Sequence, residues 1–130
     1  MIQFRLNTRS GVPTYLQLVQ QVRQAIMLGL LQPGDQLPTV KEAVGQLTIN
    51  PNTVLKAYRA LEYEGLVLAR RGQGTFVAQT LRPPPPDEIQ ALRLALERWL
   101  DEARKAGLDD ESIAALYADA VRASATERAA

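Results

Sequence analysis

Apolar residues recur at helical spacing in five stretches of the chain, and three shorter stretches favour β-strands. The stretch 39–64 organises the others because it contains two helix starts only eleven residues apart. Thr39 and Glu42 have the spacing of a capping box, and Asn50 followed by Pro51 is a typical start for a second helix. Apolar residues at 54, 57, 58 and 61 form one stripe of that helix, so its opposite face is polar and basic.

A short helix, a tight turn and a longer helix with a polar, basic start are typical of a helix-turn-helix, whose second helix enters the major groove of DNA. An ordinary helical hairpin with a solvated polar face has the same pattern. The stretch 39–64 alone does not decide between the two interpretations.

The residues before this stretch predict one helix and an extended segment. Ile2, Phe4 and Leu6 alternate with polar residues, which indicates a short strand or an arm lying on the domain. A 3.6-residue apolar period then predicts a helix capped by Thr14 and ended by Gly29. The polar side of this helix, which includes four glutamines, is expected to be a solvated face.

The residues after Gly65 predict a β-hairpin. Residues 66–69 and 75–77 are strand candidates, and Arg70, Arg71, Gly72, Gln73 and Gly74 lie between them. Such a hairpin can bring its backbone and arginines against a sugar-phosphate ridge, as a wing does, although by itself it is equally a solvated surface turn. Upstream, Pro33-Gly34 predicts a type II turn that leads the chain into the helix-turn-helix.

Four prolines at 83–86 divide the chain and predict a stiff linker over 81–86 between a domain at 1–80 and a helical region at 87–130. Two amphipathic helices, capped by Asp87 and Asp109, follow the linker, and periodicity is lost from Ala123. These helices have too small a core to stand alone, so we expect them to pair with a second copy; folding back onto residues 1–80 is the alternative. The predicted dimerisation residues are Ile89, Leu92, Leu96, Trp99, Leu100, Ile113, Leu116 and Tyr117.

The amino-acid composition excludes several common kinds of catalytic site. The chain has no Cys and no His, which excludes thiol nucleophiles, disulfides, histidine bases and zinc clusters, and no paired acid-base set appears; neither a metal nor a cofactor is expected. No secretory signal or membrane span is visible, which favours a cytoplasmic protein. A small-molecule effector stays an open partner, because no residue cluster indicates one.

Charge differs between the two parts of the chain. Residues 1–80 hold eight Lys or Arg against four acids, a net +4, whereas residues 81–130 hold seven against ten, a net −3. This asymmetry indicates that the first part faces a polyanion.

The segments PTYLQLVQQVRQAI, LQPGDQLPTVKEAVGQL, INPNTVLKAYRALEYEGLV and RRGQGTFV together resemble the winged helix-turn-helix domain of the GntR family of bacterial transcription regulators, over about residues 10–78. The NPNTV opening and the short helical C-terminal part resemble its YtrA-like branch. That resemblance implies a small homodimeric repressor without an enzymatic domain, which binds a pseudo-palindromic operator, often of an ABC transporter operon.

The resemblance also implies which residues touch DNA. Pro51 and Leu55 stand where many members have arginines, so no particular operator sequence is implied. The implied DNA-binding residues are Lys41, Asn50, Asn52, Thr53, Lys56, Arg70, Arg71, Gly72 and Gln73.

The sequence thus predicts a mainly α (α+β) chain: an N-terminal winged helix-turn-helix followed by a short two-helix dimerisation region. Its predicted function is sequence-specific DNA binding in transcription regulation. A winged-helix adaptor that binds only proteins is the alternative, and it would need no basic outer face.

Overall fold

The computed structural model describes residues 1–129, which form five helices and one two-stranded sheet. The chain divides into two compact units, the first comprising Met1–Ile89 and the second beginning at Gln90. The elements are α1 (Thr14–Met27), α2 (Val40–Leu47), α3 (Pro51–Tyr63), β1 (Val67–Arg70), β2 (Gly74–Val77), α4 (Pro86–Lys105) and α5 (Asp110–Ala129).

The first helix differs from the prediction at its start. Pro13 occupies the N-cap position of α1 and no side chain caps the helix, so the prediction that Thr14 is the cap is wrong. Thr14 already lies in the first helical turn, because Pro13 has the extended backbone that precedes a helix. At the other end, Gly29 has a φ of 74°, which confirms the predicted left-handed residue after the helix.

The helix-turn-helix is formed as predicted. The Thr39 hydroxyl accepts from the Glu42 N–H and the Glu42 carboxylate accepts from the Thr39 N–H, both at 3.1 Å, which completes the capping box. Asn50 caps α3, with Pro51 in its first turn. Between the helices Thr48 has a φ of 54°, a left-handed conformation that is uncommon for a β-branched residue.

The strands of the hairpin pair antiparallel, with Arg70 opposite Gly74, within one residue of the predicted bounds. Residues 35–37 add a third extended segment beside β2, which the sequence did not predict. The Leu37 N–H donates to the Thr75 carbonyl at 2.8 Å, and the Val77 N–H donates to the Asp35 carbonyl at 2.8 Å. The wing is therefore joined at its base to the segment that leads into α2.

The core of the first unit lies between α1, α2, α3 and the hairpin. Phe4, only 5% exposed, belongs to it, although the residues around Phe4 form neither helix nor strand. The alternation at 2, 4 and 6 therefore marks an arm on the domain and not a strand. The fully buried side chains that centre this core include Leu18, Val22, Leu37, Val54 and Leu61.

The second unit is built from α4 and α5. The helix α4 begins at Pro86, so Asp87 lies within its first turn and the prediction that Asp87 caps it is wrong. The Asp109 carboxylate does cap α5, because it accepts from the Ser112 N–H at 2.8 Å. The helix α5 continues to Ala129, past Ala123, where the apolar periodicity is lost, since this alanine-rich segment has a high intrinsic helix propensity.

Candidate nucleic-acid interface

The exposed face of α3 carries the polar residues that the sequence singled out. Asn52 and Lys56 are exposed and Thr53 is half-buried, while Val54 and Leu61 of the same helix are fully buried. The apolar stripe fixes this orientation, because it leaves the helix only one way to pack on the core.

Asn50, at the start of α3, has a structural role. Its side-chain oxygen accepts from the Asn52 N–H at 2.8 Å. The amide nitrogen of Asn50 keeps both of its donors for a ligand.

Lys56 is positioned by a contact that crosses between helices. Its Nζ lies 4.1 Å from the centre of the Tyr15 ring, which belongs to the first turn of α1. An exposed cation–π contact contributes about 0.5–1 kcal/mol and restricts the lysine to the side of α3 that faces α1. The sequence identified Tyr15 only as an apolar position, because nothing local indicates which residue lies above its ring.

Lys41 and the wing complete the predicted set. Lys41 is exposed in the first turn of α2, and Arg71, Gly72 and Gln73 are exposed at the tip of the hairpin. Gly72 has a φ of 75°, which favours glycine at this tip.

The tip end of the wing is held by contacts of its own. The Arg70 guanidinium lies 4.7 Å from the centre of the Phe76 ring, and the Gln73 carbonyl accepts from the Gln36 side chain at 3.2 Å. The hairpin therefore holds Arg70 along its own surface, while Arg71 projects without a comparable contact among the described residues.

The acids of the first unit up to Thr80 are all engaged locally. Glu64 forms a two-pronged ion pair with Arg23, at 2.6 and 2.8 Å. The carboxylates of Asp35, Glu42 and Glu62 each accept a backbone N–H. Each of these four carboxylates therefore makes a hydrogen bond or ion pair within the domain.

Most Lys and Arg side chains of residues 1–80 have no carboxylate partner within the described part of the chain. Of the eight Lys and Arg up to Thr80, only Arg23 has a carboxylate within 4.0 Å among the residues described here. The unit therefore presents positive charge that no internal ion pair neutralises, as a surface for a polyanion requires. The seven other bases are Arg5, Arg9, Lys41, Lys56, Arg59, Arg70 and Arg71.

A cleft of about 290 Å³ separates α3 from the hairpin. Leu55, Arg59 and Glu62 line it from α3, while Gly74 and Thr75 line it from β2. The wing thus flanks α3 on one side, and Tyr15 of α1 flanks it on the side of Lys56.

In the second unit the predicted dimerisation residues divide into exposed and enclosed ones. Leu92, Leu96, Leu116 and Tyr117 are between 45% and 67% exposed. Trp99 and Leu100 are half-buried, and Ile113 is 8% exposed because it packs within the unit. Five of these residues, Leu96, Trp99, Leu100, Ile113 and Tyr117, line one shallow depression between α4 and α5.

The remaining predicted dimerisation residue, Ile89, is half-buried and is the last residue of the first unit.

None of the described helices is both long and apolar enough to cross a membrane.

Comparison with known proteins finds a matching family model, related sequences and related folds. Residues 14–77 match the family model described as bacterial regulatory proteins, gntR family. The chain is 34% identical over 114 residues to the HTH-type transcriptional repressor YtrA of Bacillus subtilis, covering 87% of this chain and 86% of YtrA.

The fold resembles a crystal structure titled as a transcriptional antiterminator from Listeria monocytogenes, with a TM-score of 0.60, 31% identity and coverage of 92% and 90% of the two chains. It also resembles the AraR DNA-binding domain in complex with operator ORE1, with a TM-score of 0.51 and 31% identity over 60% of this chain and 95% of the AraR chain.

Proposed function

Because the chain belongs to the GntR family of bacterial regulatory proteins and is a DNA-binding transcription regulator, we propose that it acts as a homodimeric repressor of a pseudo-palindromic operator. The observation that carries this proposal is the exposed, unneutralised set of bases on α3, on the wing and at the start of α2. An adaptor that binds only proteins would have no use for such a surface.

The residues of this surface divide by the contact that each can make. Lys41, Arg70 and Arg71 are suited to phosphates, since they lie at a helix start and on the hairpin. Asn52 and Lys56 are suited to base edges, because Asn pairs with adenine and Lys with guanine in the major groove. Thr53 can serve either kind of contact.

The exposed apolar face of the second unit supports the dimer. Along α4, Ile89, Leu92, Leu96, Trp99 and Ala103 recur at alternating spacings of three and four, the spacing of a coiled-coil seam. A second copy covers Leu92 and Leu96, which are 67% and 50% exposed in the single chain. Because full burial of a leucine contributes about 1.5–3 kcal/mol, covering the exposed part of these two stabilises an interface by about 1–2 kcal/mol each.

A dimer of this kind presents two copies of α3 to one face of a duplex. Two major grooves on one face lie about 34 Å apart, so the operator consists of two half-sites about one helical turn apart. The similarity to YtrA of Bacillus subtilis, which is a transcriptional repressor, is the basis for proposing a repressor. Such a regulator acts in the cytoplasm, and its resemblance to the YtrA-like branch leads us to expect an ABC transporter operon among its genes.

Selection of bound duplexes from a random DNA pool tests this function. We expect an enriched inverted repeat whose affinity is lost when five base pairs are inserted between its halves, because the insertion turns one half-site to the opposite face. The Lys56→Ala variant is the matched negative control. Failure to enrich any sequence, or equal binding with the insertion, contradicts the proposal.

A further inference from the structure

The segment before α1, residues 1–12, is held to the domain by side-chain amides. We call this segment the N-terminal arm. The Gln21 side chain accepts from the Arg5 N–H at 2.9 Å and donates to the Arg5 carbonyl. The Gln17 side chain accepts from the Asn7 N–H at 2.8 Å and donates to the carbonyls of Asn7 and Val12 at 3.1 and 3.0 Å.

These two glutamines form hydrogen bonds with the backbone of the arm, as the backbone of a neighbouring β-strand would. Each amide supplies one donor and one acceptor to the same backbone residue, two positions apart in the arm. Phe4, between core side chains, fixes which residues point inward. A slip of one residue would bury Arg5 in place of Phe4, so the register of the arm is strongly specified. The solvated face predicted at Gln17 and Gln21 is therefore a binding face for the arm.

The arm displays two cations that the fold itself does not use. Arg5 and Arg9 are exposed, and neither has a carboxylate within 4.0 Å among the described residues. Moreover, residues 1–34 contain no Asp or Glu, because the first acid in the chain is Asp35. The arm therefore carries positive charge and no negative side chain.

The ends of the arm are tied to the helix-turn-helix. The Phe4 N–H donates to the side chain of Gln46, in the last turn of α2 before the turn to α3. The other end of the arm leads into the first turn of α1, where Tyr15 lies under Lys56 of α3. On its opposite flank α3 faces the wing across the cleft lined by Leu55 and Arg59. The helix α3 thus lies between the wing and the end of α1 that carries the arm.

We propose that the N-terminal arm is a second element that contacts the DNA backbone, with Arg5 and Arg9 binding phosphates on the side of α3 opposite the wing. This inference rests on the DNA binding proposed above for α3. Phosphates bordering a major groove run along both of its edges, so a helix in the groove is served best by cations on both flanks. The glutamine contacts lower the cost of binding, because the arm is already ordered before it meets DNA.

The double variant Arg5→Ala/Arg9→Ala tests the proposal through the salt dependence of operator binding. Each lost phosphate contact lowers the slope of log K against log salt by about 0.9, so we expect a decrease of about 1.8 per chain and about 3.6 per dimer. The variant Lys105→Ala/Arg128→Ala removes the same charge from the second unit and should retain the full slope.

Three outcomes separate this proposal from the function on which it rests. An unchanged slope and affinity in the arm variant, with weakened binding by Lys56→Ala, overturns the role of the arm and leaves the regulator intact. If both the arm variant and Lys56→Ala bind the operator normally, the proposed interface on α3 is overturned as well. An equal decrease in the control variant assigns the effect to net charge and also overturns the role of the arm.

The glutamine contacts give an independent test. We expect Gln17→Leu/Gln21→Leu to lower the salt slope as the arginine variant does, and the combined four-residue variant to lose no more. A thermal unfolding curve on each variant separates this effect from loss of the fold. If the glutamine variant only lowers the unfolding temperature and keeps the full slope, the contacts serve the fold alone.

The position of the arm on DNA can be mapped directly, since the chain contains no Cys. Thr8→Cys gives a single attachment site for an iron chelate that cuts nearby DNA by hydroxyl radicals. We expect cuts beside each half-site, distinct from those produced from the wing by Gln73→Cys. Cutting no stronger than that from Ser124→Cys, on α5, contradicts the proposal.

Discussion

Lys56 does not project freely from α3, because its ammonium lies over the ring of Tyr15. The contact limits the positions that the ammonium samples before DNA arrives, so less side-chain entropy is lost on binding. A residue of the proposed DNA-binding surface is thus supported by a residue on a different helix.

Replacing Lys56 with Ala should weaken operator binding by about 5- to 150-fold for each half-site, which corresponds to the loss of one base contact of about 1–3 kcal/mol per chain. The free energy of unfolding should change by less than about 1 kcal/mol, because only an exposed cation–π contact is lost. Titration of labelled operator at fixed salt, together with chemical denaturation, measures both quantities. Tyr15→Phe keeps the ring and should bind normally; unchanged affinity in Lys56→Ala would exclude Lys56 from the interface.

Tyr58 predicts a pH dependence of stability. Its buried hydroxyl donates to the Pro38 carbonyl at 2.6 Å, and burial, helped by the negative charge of Glu42, raises the Tyr58 pKa far above its ordinary value of 10.0. Above about pH 10 the unfolded chain releases a proton that the folded chain keeps, so this group's contribution to the free energy of unfolding falls as the pH rises.

Denaturation of Tyr58→Phe between pH 7 and 11 checks this expectation. At pH 7 the variant should lose about 1–3 kcal/mol, because the Pro38 carbonyl is left unpaired. Its stability should then fall less steeply above pH 10 than that of the unaltered chain. Tyr63 is 94% exposed, so Tyr63→Phe should keep the original slope. Equal slopes for all three chains would refute the role of Tyr58.

At the scale of elements, three of the five predicted helix caps are confirmed. Thr39, Asn50 and Asp109 cap as their sequence context indicated. Thr14 and Asp87 do not cap, because Pro13 occupies the N-cap position of α1 and α4 already begins at Pro86, so both residues lie within the first turn. A proline before the capping residue does not by itself decide the outcome, since Pro38 precedes Thr39, which does cap α2.

Contacts between elements were harder to predict from the sequence. The extended segment 35–37 beside β2 was not predicted, because it is too short to show a period of two and is recognised only by its partner. The arm contacts of Gln17 and Gln21 were missed because no local pattern indicates which backbone groups a glutamine on a polar helix face binds. Local patterns specify which face of an element is buried, but they do not specify which polar side chains meet across elements.

The two threonines at helix starts provide a matched test at this scale. Thr39→Ala should lower the free energy of unfolding by about 1 kcal/mol, because the Glu42 N–H loses its acceptor. Thr14→Ala removes a hydroxyl that caps nothing and should cost clearly less. Equal losses, measured by denaturant unfolding, would show that the capping box contributes nothing specific.

At the scale of the whole molecule, the separation of charge and of apolar surface could be predicted from the sequence. The split into +4 and −3 predicted the unit that binds a polyanion, and the family match at residues 14–77 covers that unit. The apolar stripe of α4 predicted a surface that a single chain leaves uncovered, and Leu92 and Leu96 are exposed. The arrangement of two copies depends on contacts between chains, which one sequence does not encode in its local pattern.

Two leucines on opposite sides of α4 test the proposed dimer. Leu92→Asp should produce monomers, with a dimer dissociation constant at least about 100-fold higher, because an unpaired carboxylate in an apolar interface costs several kcal/mol. Leu94, 48% exposed, lies off the seam, so Leu94→Asp should remain dimeric. Leu92 is a better site than Trp99, which is half-buried within the unit. An undisturbed dimer of Leu92→Asp in sedimentation would contradict the proposed interface.

The extended segment beside β2 has a dynamic consequence. A free hairpin of two four-residue strands would fluctuate, yet here its backbone is joined to the residues leading into α2 and its tip residue Gln73 to Gln36. We therefore expect wing amides in the free protein to show NMR order parameters near 0.85, those of a rigid backbone. Complex formation would then be close to lock-and-key, with little heat absorbed or released by loop rearrangement.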